Sequence, residues 1–178
     1  MKKLSREAKK CFQRWDIPEL EEKFRNSLLV PQRGRYHQEG PMLKDHLAMM
    51  LWFMTNRYST GIAVSYPEDG KQVIENLFKK LHMHEELMRL VYTHILLHDV
   101  AKMDCMQFIY RDGTKEFFPF EKWERILEEN EGDAERALDS IDVVQVSYPQ
   151  HGKLAAEYLK KLADKYGIKG RQNGTIRS

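Results

Sequence analysis

The chain has 178 residues, 42% of them apolar and 31% charged, with a formal net charge of +2. That length and apolar content suit one domain with a real core, and the near balance of charge argues against a dedicated nucleic-acid coat or an acidic tail. No run approaches the roughly 18 apolar residues of a membrane span, no apolar signal core follows the basic start, and two cysteines, Cys11 and Cys105, make no disulfide framework, so a cytoplasmic chain with free thiols is expected.

In chain order, patterns of three and four dominate. Ser5 can cap a first helix running to about Trp15, and Pro18 at a first helical position opens a second, to about Leu29. Pro31 to Gly40 reads as a loop. A third helix runs from Pro41 to about Arg57, with Leu43, Leu47, Met50, Leu51 and Met54 on one face. Ser59 to Gly70 is a second loop, and 71–81 a short amphipathic helix. Glu85 to about Lys102 is the most apolar helix and the expected centre of the fold. A small hairpin is expected near 108–118, turning at Asp112-Gly113. Helices follow at 120–130 and 133–142, and a last one at 151–166 carries Leu154, Tyr158, Leu159 and Leu162 on one face. The tail from residue 167 has no apolar pattern. Strand signals are sparse, so the expectation is a single all-α domain over 1–178, with its core at about 31–165.

Seven histidines occur, at 37, 46, 82, 84, 94, 98 and 151. In "THILLHDVAK" an imidazole, His98, stands beside a carboxylate, Asp99, with Lys102 one turn on. His46 falls on or near the inward face of the third helix, and His151 opens the last. Imidazole nitrogen with carboxylate oxygen suits Zn, Fe, Mn, Co or Ni, and a helical bundle can gather such groups from facing helices. Plainer readings exist for each residue. A lone buried histidine is commonly a hydrogen-bonded core residue, and His82 and His84 do not share a helical face. His94 can pair with His98 at i, i+4 on a metal or pack and hydrogen-bond behind it. Asp99 and Lys102 can be an ordinary i, i+3 ion pair.

The order of three segments adds to this. "LLHDVAK" resembles the signature of the HD-domain superfamily of metal-dependent phosphohydrolases; "YHQEGPMLKDHLAMML" resembles a His-x-Glu-Gly…His segment of HD domains of the tRNA nucleotidyltransferase and RNA-repair type; "YPQHGKLAAEYLKKL" resembles the family's later histidine helix. The resemblance implies an HD-domain-like helical bundle in which His46, His98 and Asp99 hold a divalent metal (Mn, Fe, Ni, Co, Zn or Mg). It places His151, with His37 as companion, at a second metal or the scissile phosphate. Asp99 and Lys102 would then be catalytic, and Arg33, Arg35, His37 and Lys102 would contact phosphate. The implied reaction is hydrolysis of a nucleotide or nucleic-acid phosphate ester, on a phosphorylated small molecule or a nucleic-acid end. The family pattern closes with an Asp on a helix after His151, and here only Asp164, in a Lys-rich stretch, follows it. That departure implies an alternative, a metal- or nucleotide-binding sensor or interaction module without turnover. A third reading is an interaction protein whose histidines are all structural.

Overall fold

Apolar residues at helical spacing open the chain as two short helices, α1 (Lys2–Trp15) and α2 (Pro18–Ser27), in a computed structural model that describes residues 2–34, 39–55, 72–73, 76–77, 79–80 and 83–168. Leu4, Ala8 and Phe12 form the buried stripe of α1, and Phe12 meets Phe24 of α2 with ring centroids 5.0 Å apart. Next comes α3 (Leu43–Thr55). Its Leu43, Leu47 and Leu51 are fully buried, with Met50 and Met54 packed beside them, so the period seen in the sequence is the face that enters the core.

The central helix, α4 (Glu85–Leu97), buries Met88, Ile95, Leu96 and Leu97. It stops before the apolar pattern does. Val100 N–H donates to Leu97, Lys102 N–H to Asp99 at 3.0 Å and Asp104 N–H to Ala101 at 3.0 Å, closing in a 3-10 turn over Lys102–Asp104. With three residues per turn, side chains at i and i+3 eclipse. Asp99 and Lys102 are therefore stacked by local backbone geometry.

The all-α expectation of a helical bundle is corrected by a three-stranded antiparallel sheet, ordered β2-β1-β3. The strands are β1 (Gln107–Tyr110), β2 (Lys115–Phe117) and β3 (Val143–Ser147). The first two are the hairpin expected near 108–118. It turns through Asp112-Gly113, with Gly113 at φ +87°, where only glycine sits without strain. β3 pairs with β1 from Gln107↔Ser147 to Tyr110↔Val143, with an irregularity after Ile109. It has little sequence signal, because its inward residues, Val143 and Val146, are separated by two exposed ones rather than one.

Between and after the strands lie α5 (Phe120–Glu129), α6 (Ala134–Ser140) and α7 (His151–Lys165). Phe108 of β1 stacks on Phe118 at 4.2 Å and meets Trp123 of α5 edge-on at 5.9 Å. Trp123 also donates its indole N–H to the Leu29 carbonyl at 2.8 Å, tying the sheet layer to the end of α2. One core runs continuously from α1 through α3, α4 and the sheet to α7.

An extended segment, Val30 to Arg33, threads this core. Gln32 N–H donates to Pro41 O at 2.7 Å, Pro31 bridges Met42, and Val146 N–H of β3 donates to Arg33 O at 2.9 Å. The Tyr148 hydroxyl donates to Pro31 O. The loop expected at 59–70, the end of the third helix at Arg57, the full extent of the 71–81 helix and the tail from residue 169 lie outside the described residues. Among the described residues no helix is long and apolar enough to cross a membrane.

Candidate metal centre

Asp99 is the hub. It is 2% exposed, and four side chains converge on its carboxylate. Lys102 Nζ stands 2.9 Å from Oδ2, His98 Nε2 3.1 Å from Oδ2, His46 Nε2 4.0 Å from Oδ2 and His151 Nε2 3.4 Å from Oδ1. These groups come from separate elements: His46 from α3, His98 to Lys102 from the turn after α4, and His151 from the first residue of α7. Among the described residues, His46, His98 and Asp99 are the one group of three or more His, Cys, Asp or Glu whose ligand atoms could hold an ion, all within 4.8 Å of one another.

The orientation of the three imidazoles follows from their other nitrogens. His98 Nδ1 lies 2.9 Å from Ile95 O and His151 Nδ1 2.8 Å from Tyr148 O. A carbonyl can only accept, so both Nδ1 atoms carry the proton and donate it. His46 Nδ1 lies 2.5 Å from a Glu39 carboxylate oxygen, which fixes that ring in the same sense when Glu39 is ionised. All three rings thus turn Nε2 toward Asp99. In neutral imidazoles those Nε2 atoms are lone pairs aimed at an anionic acceptor, an arrangement that calls for a positive charge between them, either a proton or a metal ion. Carboxylate- or carbonyl-anchored histidines turned this way are the usual metal ligands.

Charge follows the same logic. Burial by itself raises the Asp99 carboxyl, but the hydrogen bond from His98 and the Lys102 ammonium outweigh it and hold Asp99 well below the usual carboxylate range. Burial opposes charge on His98, yet the Asp99 hydrogen bond and charge win and hold it above the ordinary 6.5. His46 goes the other way: burial pushes it below 6.5 in spite of Glu39. The donor set fits a divalent ion in kind, two imidazole nitrogens and a carboxylate oxygen. It is slightly open in size, since two ligands with bonds of roughly 2.1 Å lie at most about 4.2 Å apart.

Lys102 and Arg33 are placed differently from a phosphate-facing pair. Lys102 is 4% exposed, and its ammonium is used by Asp99, by Gln32 Oε1 at 3.4 Å and by the face of Tyr148, 4.9 Å from the ring centroid. The Arg33 guanidinium donates to Asp139 and to Val143 O, each at 2.7 Å, and pairs with Glu135, which fastens it to α6 and the start of β3. Arg35 and His37 lie outside the described residues, as does His82. His94 is exposed, its ring 5.6 Å from that of His98, and it is not one of the grouped ligands. His84 is exposed at the start of α4.

Two contributors, Gln32 and Tyr148, had no signal of their own in the sequence, and a third, Glu39, is the Glu of the His-x-Glu-Gly segment, with nothing in that segment to tie it to His46. Glu39 depends on its neighbour Gly40, at φ +150°, where an added Cβ would fall 2.5 Å from Asp45 Cβ. Only glycine lets the chain pass that close to α3 and turn Glu39 onto His46. No family model, curated protein or solved structure matches the chain.

Proposed function

We propose that the chain is a metal-dependent phosphohydrolase acting on a nucleotide or nucleic-acid phosphate ester, with His46, His98 and Asp99 holding the ion. The observation that carries the reading is the buried Asp99 carboxylate with three Nδ1-anchored imidazoles turned toward it. The choice of phosphate chemistry comes from the ordered likeness of three segments to HD-domain phosphohydrolases. A divalent ion, when bound, supplies polarisation of a phosphoryl oxygen and lowers the pKa of a water.

The chain's own groups divide the remaining work. Asp99, held ionised by His98 and Lys102, offers a ligand oxygen with no proton to displace. His46 offers Nε2 as a lone pair, because burial disfavours its charged form. Where His98 carries a proton on Nε2, it must give that proton up to become a ligand, so ion and proton compete for that nitrogen. His151, at 39% side-chain exposure the most open of the three rings, stands at Oδ1 and can carry a proton on Nε2 to or from bound substrate. Lys102 keeps Asp99 charged rather than reaching outward.

One observation favours a second reading, a metal- or nucleotide-binding module without turnover. Both Lys102 and Arg33 spend their donors on protein groups, which leaves neither to neutralise a substrate phosphate.

Elemental analysis of protein purified without an affinity tag tests the site. Hydrolysis of bis(p-nitrophenyl) phosphate and a nucleotide panel with added Mn or Ni separates enzyme from binding module. His98→Ala and Asp99→Ala should each abolish ion uptake. Wild-type ion content in both variants would mean the site is wrongly placed.

A further inference from the structure

Gln32 is 1% exposed, on the clamped segment between Pro41 and β3. Its Oε1 accepts from Lys102 at 3.4 Å. Its Nε2 has no hydrogen-bond partner, and among the described residues it is the only buried side-chain nitrogen or oxygen in that state. A buried amide donor left unpaired is destabilising, and an apolar residue of the same shape would avoid the penalty. Core packing therefore gives no reason for an amide here. The Oε1 contact does.

Lys102 has three N–H donors and three neighbours for them: the buried Asp99 Oδ2 and Gln32 Oε1, and the half-buried Tyr148 ring. Asp99 in turn divides its oxygens. Oδ2 takes Lys102 and His98, and Oδ1 faces His151. If Oε1 is lost, the ammonium has one donor without an acceptor, and the other oxygen of the carboxylate it already pairs with, Oδ1, can replace it. The carboxylate then turns, and His151 loses the oxygen it faces.

We propose that Gln32 is a positioning residue, whose amide oxygen, through the Lys102 ammonium, fixes which Asp99 oxygen faces His98 and which faces His151. The proposal rests on the metal-centre reading only in its cation arm.

The test uses the full chain as Gln32→Met, which keeps the shape and removes the amide, and Gln32→Glu, which keeps an oxygen toward Lys102. In metal-stripped protein, the ring 1H–13C signals of His98 and His151 report the setting of the carboxylate. Gln32→Met should displace both sets while its Tm stays level or rises by about 2–4 °C, since the unpaired donor is gone. Gln32→Glu should displace them less. In a Co(II) titration, Gln32→Met should weaken binding about 10–100-fold, and Gln32→Glu should keep wild-type affinity or better. Opposite movement of stability and site is what a packing role does not produce. The proposal fails if the ring signals of Gln32→Met coincide with wild type, or if both variants lose stability together. Should wild type take up no Co(II), the metal reading falls while the ring signals still judge Gln32.

Discussion

Lys102→Met is the perturbation that the structure makes most informative. The ammonium and Asp99 Oδ2 are 2.9 Å apart, with both side chains at 5% exposure or less. At an effective dielectric of about 20 their attraction is about 6 kcal/mol. Removing the ammonium also removes its own desolvation penalty, so the net loss is smaller, about 3–5 kcal/mol, most of it the cost of leaving Asp99 buried beside fewer cations. Native stability is typically about 5–15 kcal/mol, so the variant should fold with a thin margin. With a urea m-value of about 2 kcal/mol/M, the midpoint should fall by about 1.5–2.5 M. Circular dichroism during urea unfolding reads this directly. Lys102→Met combined with Asp99→Asn should recover most of the loss, because the stranded charge is then gone. Added Mn or Zn should partly rescue the single variant, by supplying the missing positive charge at Asp99. An unchanged midpoint in the single variant would refute the claim that Lys102 is what compensates the buried carboxylate.

Other consequences are separable. Glu39→Gln should weaken divalent-ion affinity about 10–100-fold with little change in fold, measured by competition with a chromogenic chelator. In metal-free protein, ring NMR should show His98 titrating above 6.5 and His46 below it. The signs follow: stability from His98 is full below 6.5 and fades as pH rises through its higher folded value, whereas His46 penalises the fold as pH falls below 6.5. Gly40→Ala should impair ion uptake by displacing Glu39, a loss visible in the His46 ring signals. Leu47→Ala, at a fully buried site of α3, should cost about 2–5 kcal/mol in chemical denaturation.

The sequence made the local features legible and left the tertiary ones hidden. The i, i+4 row Leu43, Leu47, Leu51 announces the buried face of α3, because helical period and burial are one signal there. Asp112-Gly113 announces its turn, because few residues accept φ +87°. β3 stayed hidden because five residues with a broken in–out pattern look like a loop between helices. The helix α4 ends short of its apolar run, since hydrophobicity continues through Val100 and Ala101 while the backbone tightens into a 3-10 turn. Of the site, His46, His98, Asp99 and His151 could be singled out by residue type and order. Gln32 and Tyr148 could not, because one acts through a partner seventy residues away and the other through a backbone atom, and Glu39 stands in the His-x-Glu-Gly segment while its hold on His46 emerges only in the fold.

The sheet has one further consequence, for behaviour at high concentration. Open strand borders are where separate molecules zip together into aggregates. Along β3 that border is already engaged, since Val146 N–H is spent on Arg33. The opposite border is β2, only three residues long and carrying Lys115 and Glu116. A border so brief, with two of its three residues charged, offers a poor template for a second molecule, and replacing those two residues with valine should raise light scattering on standing above that of the unmodified chain.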